Sequence, residues 1–271
     1  MRSKELLSIV RPHPSDTGGL VYAGGIERDG MILAGEARSP ATGETYRITD
    51  GYLDLLKFRT GADSLANLTN FLPGAGRGYE PLWRVHSLSL LTGEPFPNER
   101  ELAIINRLVR PVRGGRYLDL GCSAGLYTRN LDSGVAVGID ISPSMLREAA
   151  RRAHGIGANS SFVRANAKHL PFLDASFTGA VCGGTLNEFG DPARVLRETY
   201  RVLEPGRRLA IMGILRAGTP RGRRVQRILS AGGIRFFDPD ELQSLLDHAG
   251  FEPDPPQTYG PVFFSGSTRR G

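Results

Sequence analysis

The stretch Tyr117-Leu-Asp-Leu-Gly-Cys-Ser-Ala-Gly125 constrains the fold of this chain more than any other. An apolar strand ends in an acid, Asp119, and runs into a turn of glycine and small residues that opens a helix. Glycine at 121 and 125 lets the backbone bend sharply and pass close to a ligand, and the helix start leaves N–H groups for that ligand's polar atoms. Twenty-one residues after Asp119 a second apolar strand, Val135-Ala-Val-Gly-Ile-Asp140, ends in another acid. An acid at the tip of the second strand of such a unit is placed to accept the hydroxyls of a ribose. Together the two segments predict a nucleoside cofactor at the carboxyl ends of parallel strands.

The surrounding pattern repeats the theme. Tyr117–Leu120, Val135–Ile139, Ser161–Arg164, Thr178–Cys182 and Leu209–Ile214 read as buried strands, separated by helical stretches. Ser142-Pro143, Asp191-Pro192 and Asp238-Pro239 each set an N-cap before a proline at the first helical position, and Glu241 completes a capping box with Asp238. Residues 98–112 form a helix candidate, apolar at Leu102, Ile105, Leu108 and Val109. Single helices between strands imply right-handed crossovers and a doubly wound, Rossmann-like α/β sheet. The tail, with Val262-Phe-Phe, predicts a final antiparallel hairpin, giving seven strands. Residues 1–60 are Gly-rich with short alternating stretches, a small β-rich unit. Pro73-Gly-Ala-Gly-Arg-Gly marks a connector within residues 61–96, and the α/β domain spans 97–271.

Composition excludes several classes. Two cysteines, Cys122 and Cys182, allow neither a disulfide framework nor an all-cysteine zinc cage. No apolar run reaches the roughly 18 residues of a membrane span, and the start Met1-Arg-Ser-Lys-Glu-Leu-Leu lacks the apolar core of a secretory signal. A cytoplasmic location is expected. The net charge of +6 arises locally: Pro205–Phe237 holds eight arginines and no acid. The remainder, 34 − 8 = 26 basic against 28 acidic residues, carries no nucleic-acid-like surface.

The identity of the nucleoside follows from the turn. A dinucleotide site wants glycine at 123 and 126, where this chain has Ser and Leu. Asp119 inside the turn would repel a pyrophosphate and suits a ligand bearing an ammonium and a sulfonium. The segment resembles motif I of the class I SAM-dependent methyltransferases, and Gly138-Ile-Asp-Ile-Ser-Pro-Ser-Met-Leu resembles their second-strand motif. Arg164-Ala-Asn-Ala-Lys-His-Leu-Pro-Phe and Glu198-Thr-Tyr-Arg-Val-Leu-Glu-Pro-Gly continue the match in order, over roughly residues 79–271. The pattern is most similar to the ubiquinone/menaquinone-biosynthesis C-methyltransferases and their relatives, the methyltransferase type 11 group.

The resemblance implies that S-adenosyl-L-methionine (SAM) is the cofactor. It further implies that Gly121, Cys122, Ser123, Gly125 and Gly183 line it, with Asp119 near the methionine amine and Asp140 on the ribose diol. Ile141 then meets the adenine face, and Asn166 and Ala167 read its edge. Asn166 stands where the family usually has Asp, and Ser123 where it has Gly. The cysteines read otherwise as small buried packing residues.

For the chemistry, the candidates for a base are Glu188, after the fourth strand, and His169, after the third. Asn187 is a candidate to orient the acceptor. Tyr79 and Trp83 stand where similar quinone methyltransferases fold a lid over the cofactor, and Arg224 belongs to an Arg-rich segment that would contact an anionic substrate. Residues 1–56 also resemble the zinc-ribbon module that precedes some methyltransferase domains. The positions of its two Cys-Pro-x-Cys pairs read Arg11-Pro-His-Pro14 and Ser39-Pro-Ala-Thr42, so the expectation is a metal-free ribbon.

The expected function is methyl transfer to a small hydrophobic or anionic metabolite, with quinone-type C- or O-methylation included. Two alternatives stand beside it: an rRNA base methyltransferase, which the ribbon layout and the basic segment favour, and a SAM-binding protein without catalysis. Peripheral membrane contact through the basic segment, and monomer or homodimer, are left open.

Overall fold

The apolar runs and cap signals fold as their periods dictate in a computed structural model that describes residues 4–13, 16, 18–28, 30–57, 85–131 and 134–271, with 85–87 as backbone only. A 3₁₀ turn at Lys4–Ile9 leads into four strands: β1 (Val21–Arg28), β2 (Met31–Arg38), β3 (Thr45–Thr49) and β4 (Tyr52–Asp54). Helices α1 (Val85–Thr92) and α2 (Asn98–Val109) follow. The alternating portion is β5 (Arg116–Leu120), α3 (Leu126–Asn130), β6 (Val135–Asp140), α4 (Pro143–Gly155), β7 (Ser160–Arg164), β8 (Phe177–Gly183), α5 (Pro192–Val202) and β9 (Leu203–Ile214). Helices α6 (Pro220–Ala231) and α7 (Pro239–His248) precede β10 (Phe251–Pro253), β11 (Gln257–Tyr259) and β12 (Val262–Arg269).

The sheet order β7-β6-β5-β8-β9-β12-β10 contains the five expected parallel strands and β12, antiparallel to β9 and hairpinned to β11 as expected, while β10, not foreseen, adds an antiparallel edge to β12. Successive residues alternate between two cores, as a pleated strand requires. Leu118, Leu120, Leu209, Ile211 and Phe263 enter one, which also takes the apolar faces of α5 and α7. Tyr117, Ala210, Met212, Val262 and Phe264 enter the other, beneath α1 and α2. The cap signals hold: Ser142 accepts from Met145 N, Asp191 from Arg194 N, and Asp238 with Glu241 closes a capping box.

Two features depart from the sequence expectation. The connection between β7 and β8, residues 165–176, contains no helix. Its face of the sheet is covered by Leu6, Leu7, Ile9 and Val10 of the N-terminal turn, and Arg11 N bonds Pro171 O at 2.7 Å while Leu173 N bonds Ile9 O at 3.0 Å. The second feature is strand β4, which pairs in parallel with β7, Tyr52 opposite Phe162 and Asp54 opposite Arg164. Strands β1–β4 therefore extend the sheet to twelve strands. An ion pair seals this junction: Arg164 Nη1 lies 3.1 Å from Asp54 Oδ2, with the Arg164 side chain 6% exposed. Residues 4–57 share one sheet and one core with the α/β portion.

The stretches that resemble zinc-ribbon knuckles meet through hydrogen bonds. Buried Asp16 accepts from the Ser39 hydroxyl and, at 3.0 Å, from His13 N, and Ser39 Oγ accepts from Thr42 N at 3.0 Å. Asp16→Ala is expected to cost about 2 kcal/mol, because it orphans a buried hydroxyl and a loop amide. The protein as purified is expected to keep its melting temperature in EDTA, and about one equivalent of tightly bound zinc by elemental analysis would overturn the metal-free reading.

Candidate functional site

The turn after β5 is shaped by three left-handed residues at alternate positions: Gly121 (φ 64°), Ser123 (φ 47°) and Gly125 (φ 76°). A side chain on Gly121 would sit 2.7 Å from Thr185, whose hydroxyl donates to Leu120 O at 2.8 Å. Ser123 holds a conformation that glycine adopts freely and other residues reach at a cost of order 1 kcal/mol. Such strain persists where the surroundings enforce it. Here Ser123 N donates to Asp140 Oδ2 at 2.9 Å.

Asp140 ends β6 with its carboxylate between two loops. Oδ2 takes Ser123 N, and Oδ1 takes Ser142 N at 2.8 Å. Burial holds the pKa of its carboxyl above the usual carboxylate value, and the N–H donors offset only part of that rise. Asp119, 2% exposed, directs Oδ2 at both the amide (2.9 Å) and the hydroxyl (2.6 Å) of Thr128, fixing α3 against β5. Just past the end of β6 the half-buried Ile141 accepts from Arg164 Nε at 2.9 Å through its carbonyl. Asn166 Oδ1 accepts from Lys168 N at 2.9 Å, which orients its amide, and Ala167 beside it is buried. These residues all lie at the carboxyl ends of β5, β6 and β7, as a ligand at the crevice of an open parallel sheet requires.

The segment at and after the end of β8 departs from the sequence expectation at Asn187. A side chain on Gly183 would collide with the ring of Tyr127, which is buried and donates its hydroxyl to buried Glu101 on α2. Gly183 thus makes room for a side chain of α3. Asn187 is redirected: Nδ2 donates to Ile214 O (2.8 Å) and Arg235 O (2.6 Å), and Oδ1 accepts from Ile214 N (2.9 Å). Its amide is engaged by backbone and clamps the loop after α6 to β9, so it is not offered to an acceptor.

Glu188 follows directly. Its carboxyl makes no hydrogen bond with any described residue, and burial, with the charge of Asp140, pushes its pKa up to about 7.

The remaining candidates separate. His169 is exposed and meets Arg194 Nη2 at 2.9 Å through Nδ1, lining a cavity with Arg11, His13 and Glu198 on the α5 side. That places it among the N-terminal turn and α5 and not beside Glu188. Cys122 and Cys182 are both free thiols but enter different apolar clusters. Burial pushes the Cys182 thiol up to about 12 and the Cys122 thiol well above its usual value, which suits packing and not nucleophilicity. Arg224 lies on the outer side of α6, exposed. Tyr79 and Trp83 lie outside the described residues.

Sequence reasoning missed Thr128, Tyr127 and Thr185, which support the turn. It also missed Thr219-Pro220, the same cap signal as the three it used, which starts α6. Among the described residues no cluster of three or more His, Cys, Asp or Glu side chains could hold a metal, and no helix is long and apolar enough to cross a membrane.

Residues 118–211 match the family described as "Methyltransferase domain". The 27-O-demethylrifamycin SV methyltransferase of Amycolatopsis mediterranei is 31% identical over 208 residues, 72% of this chain and 73% of that protein. The ubiquinone/menaquinone biosynthesis C-methyltransferase of Haemophilus ducreyi is 29% identical over 169 residues, 52% of this chain and 65% of its own length. A solved SAM-dependent methyltransferase of Methanosarcina mazei superposes with a TM-score of 0.53 at 23% identity, covering 62% of this chain and 97% of that one. The chain belongs to the class I SAM-dependent methyltransferases. It is an enzyme of that class, and SAM is its cofactor.

Proposed function

We propose that this methyltransferase acts on a small metabolite whose acceptor atom must lose a proton, a phenolic or enolic hydroxyl or its ring carbon, with Glu188 as the general base. The observation that carries the reading is the Glu188 carboxyl in the 3₁₀ turn Thr185–Glu188 that follows β8. It has no hydrogen-bond partner among the described residues and a pKa near 7, where a base is both available and strong at neutral pH.

The site fits SAM by its donor chemistry. Each Asp140 oxygen takes one backbone N–H and keeps a lone pair for a ribose hydroxyl. The left-handed residues 121, 123 and 125 let the turn backbone approach the ligand, with Ser123 held by Asp140. Ile141 would pack on the adenine face, while Asn166 and Ala167 would meet its edge. When bound, SAM supplies an electrophilic methyl group on a sulfonium. The protein's share is to hold the acceptor in line, exclude water and accept the acceptor proton on Glu188. Asp119 would act at one remove, through the position of α3.

Incubation with methyl-tritiated SAM and a panel of phenols, quinols and enolic acids, with total RNA as a parallel acceptor, tests the reading. Label in a small acidic acceptor is expected. Label recovered in RNA, or SAM binding with no transfer to any acceptor, would favour the alternative functions.

A further inference from the structure

We propose that the cavity between α6 and the loop that follows it is an anion subsite, which holds a carboxylate or phosphate group of the methyl acceptor. The inference rests on the reading of Glu188 and extends it to the far end of the substrate.

The segment after β9 sets two exposed arginines, Arg223 and Arg227, on the wall of a cavity. Thr219 caps α6 by accepting from Gly222 N at 3.1 Å. None of the helix's residues is buried; its orientation is set by Gln226, whose Oε1 accepts from Ala217 N (2.8 Å) and whose Nε2 donates to Leu215 O (2.9 Å). That anchor turns the row 223, 226, 227 and 230, spaced as one helix face, toward a cavity of about 650 Å³. Arg216, Arg235 and one acid, Glu241, line it from the other side. The volume suits a small metabolite.

Charge in this cavity is unbalanced. Arg216 pairs with Asp238 at 3.0 Å and Arg235 with Glu241. Arg223 spends its Nη1 on the neutral carbonyls of Ala217 (3.3 Å) and Gly218 (2.7 Å). Arg227 has no hydrogen bond or ion pair with a described residue, and no acid lies between 205 and 237. Two guanidiniums therefore face the cavity without a counter-charge. Planar guanidinium forks match carboxylate and phosphate oxygens two at a time.

Position ties the cavity to the chemistry. Arg235 N donates to Asn187 O at 2.7 Å, and Asn187 Nδ2 returns a bond to Arg235 O at 2.6 Å. The wall that carries Arg235 and the segment that carries Glu188 are thus bolted one residue apart. An acceptor with its acidic hydroxyl toward Glu188 and its anionic group toward Arg223 and Arg227 would span this wall.

The test is calorimetric titration of the protein saturated with S-adenosylhomocysteine against 4-hydroxybenzoate, phenyl phosphate and the neutral 4-hydroxybenzamide. At least one anion is expected to bind ten-fold or more tightly than the amide, and the preferred anion separates carboxylate from phosphate recognition. Arg223→Gln with Arg227→Gln should weaken that anion at least ten-fold, while Arg221→Gln with Arg224→Gln on the outer face should not. Equal binding of the amide, no anion binding at millimolar concentration, an unchanged affinity in the inner double variant, or its loss of affinity for a short RNA instead would each overturn the proposal. The stability of Glu188→Gln at pH 4 and pH 8 separates the two failures. If it exceeds wild type only at pH 8, the Glu188 reading stands and a failed titration removes the anion subsite alone; if the variant is less stable at both, the Glu188 reading falls first.

Discussion

Asp140→Ala is expected to weaken SAM binding at least ten-fold. The carboxylate is proposed to accept the ribose hydroxyls, and charge-assisted hydrogen bonds contribute about 1.5–3 kcal/mol each, where 1.4 kcal/mol is ten-fold. A second loss adds to this. Asp140 also receives Ser123 N and Ser142 N, so its removal frees the left-handed turn and the start of α4 together. Asp140→Asn keeps the size but replaces one acceptor oxygen by a donor amide facing an N–H, and should fall between alanine and wild type. Calorimetric titration with SAM, alongside a melting curve to check folding, reads both variants. Unchanged affinity would remove Asp140 from the cofactor site.

Glu188→Gln is expected to lower kcat by about 10²–10⁴, the usual worth of a positioned base, with SAM affinity little changed. For the wild-type protein, kcat/KM should rise with pH through about 7, where the carboxyl ionises, and the variant should lose that limb. A stability measurement needs no acceptor. Because the folded carboxyl titrates above its unfolded value of about 4.3, the folded state binds the extra proton between these pH values. Stability therefore falls as pH rises from about 4 to 7, and the penalty is fully present above 7. Glutamine removes the buried charge, so the variant should be more stable than wild type at pH 8 and indistinguishable from it at pH 4. A Glu188 that served only structure would show a loss at both.

The parts of the fold legible in the sequence were those set by local pattern. The five parallel strands announced themselves as apolar runs, and the caps at Ser142, Asp191 and Asp238 as polar residues before proline. Gly121, Gly125 and Asp140 were legible because turn sterics and strand ends leave few other residue types. What was hidden depends on contacts distant in sequence. No local signal says that Tyr52–Asp54 pairs with 162–164, or that Leu6, Leu7, Ile9 and Val10 do the work of a missing helix. The cavity-lining row of α6 was hidden for another reason. Amphipathic phasing would turn Val225, Ile228 and Leu229 inward, yet they are 57%, 71% and 43% exposed, because Gln226 anchors the helix by its polar side. That anchor exchanges Arg224 for Arg223 and Arg227 on the cavity wall. Asn187 misled similarly: an amide near an active-site strand looks like a substrate ligand until its backbone partners are visible.

The parallel pairing of β4 with β7 has a consequence for synthesis. The N-terminal strands leave the ribosome first, but the template for β4 is more than 100 residues downstream. Until Ser160–Arg164 emerges, β4 has an unpaired edge and Asp54 lacks the guanidinium that neutralises it. Contacts of such long sequence separation form late and slowly. Strands β1 to β4 can pair with one another as they emerge, but the outer edge of β4 has its partner only after the strand bearing the second acid, β6, and then β7 have been made. The pairing of that edge reports that the parallel half of the sheet has been assembled out to β7.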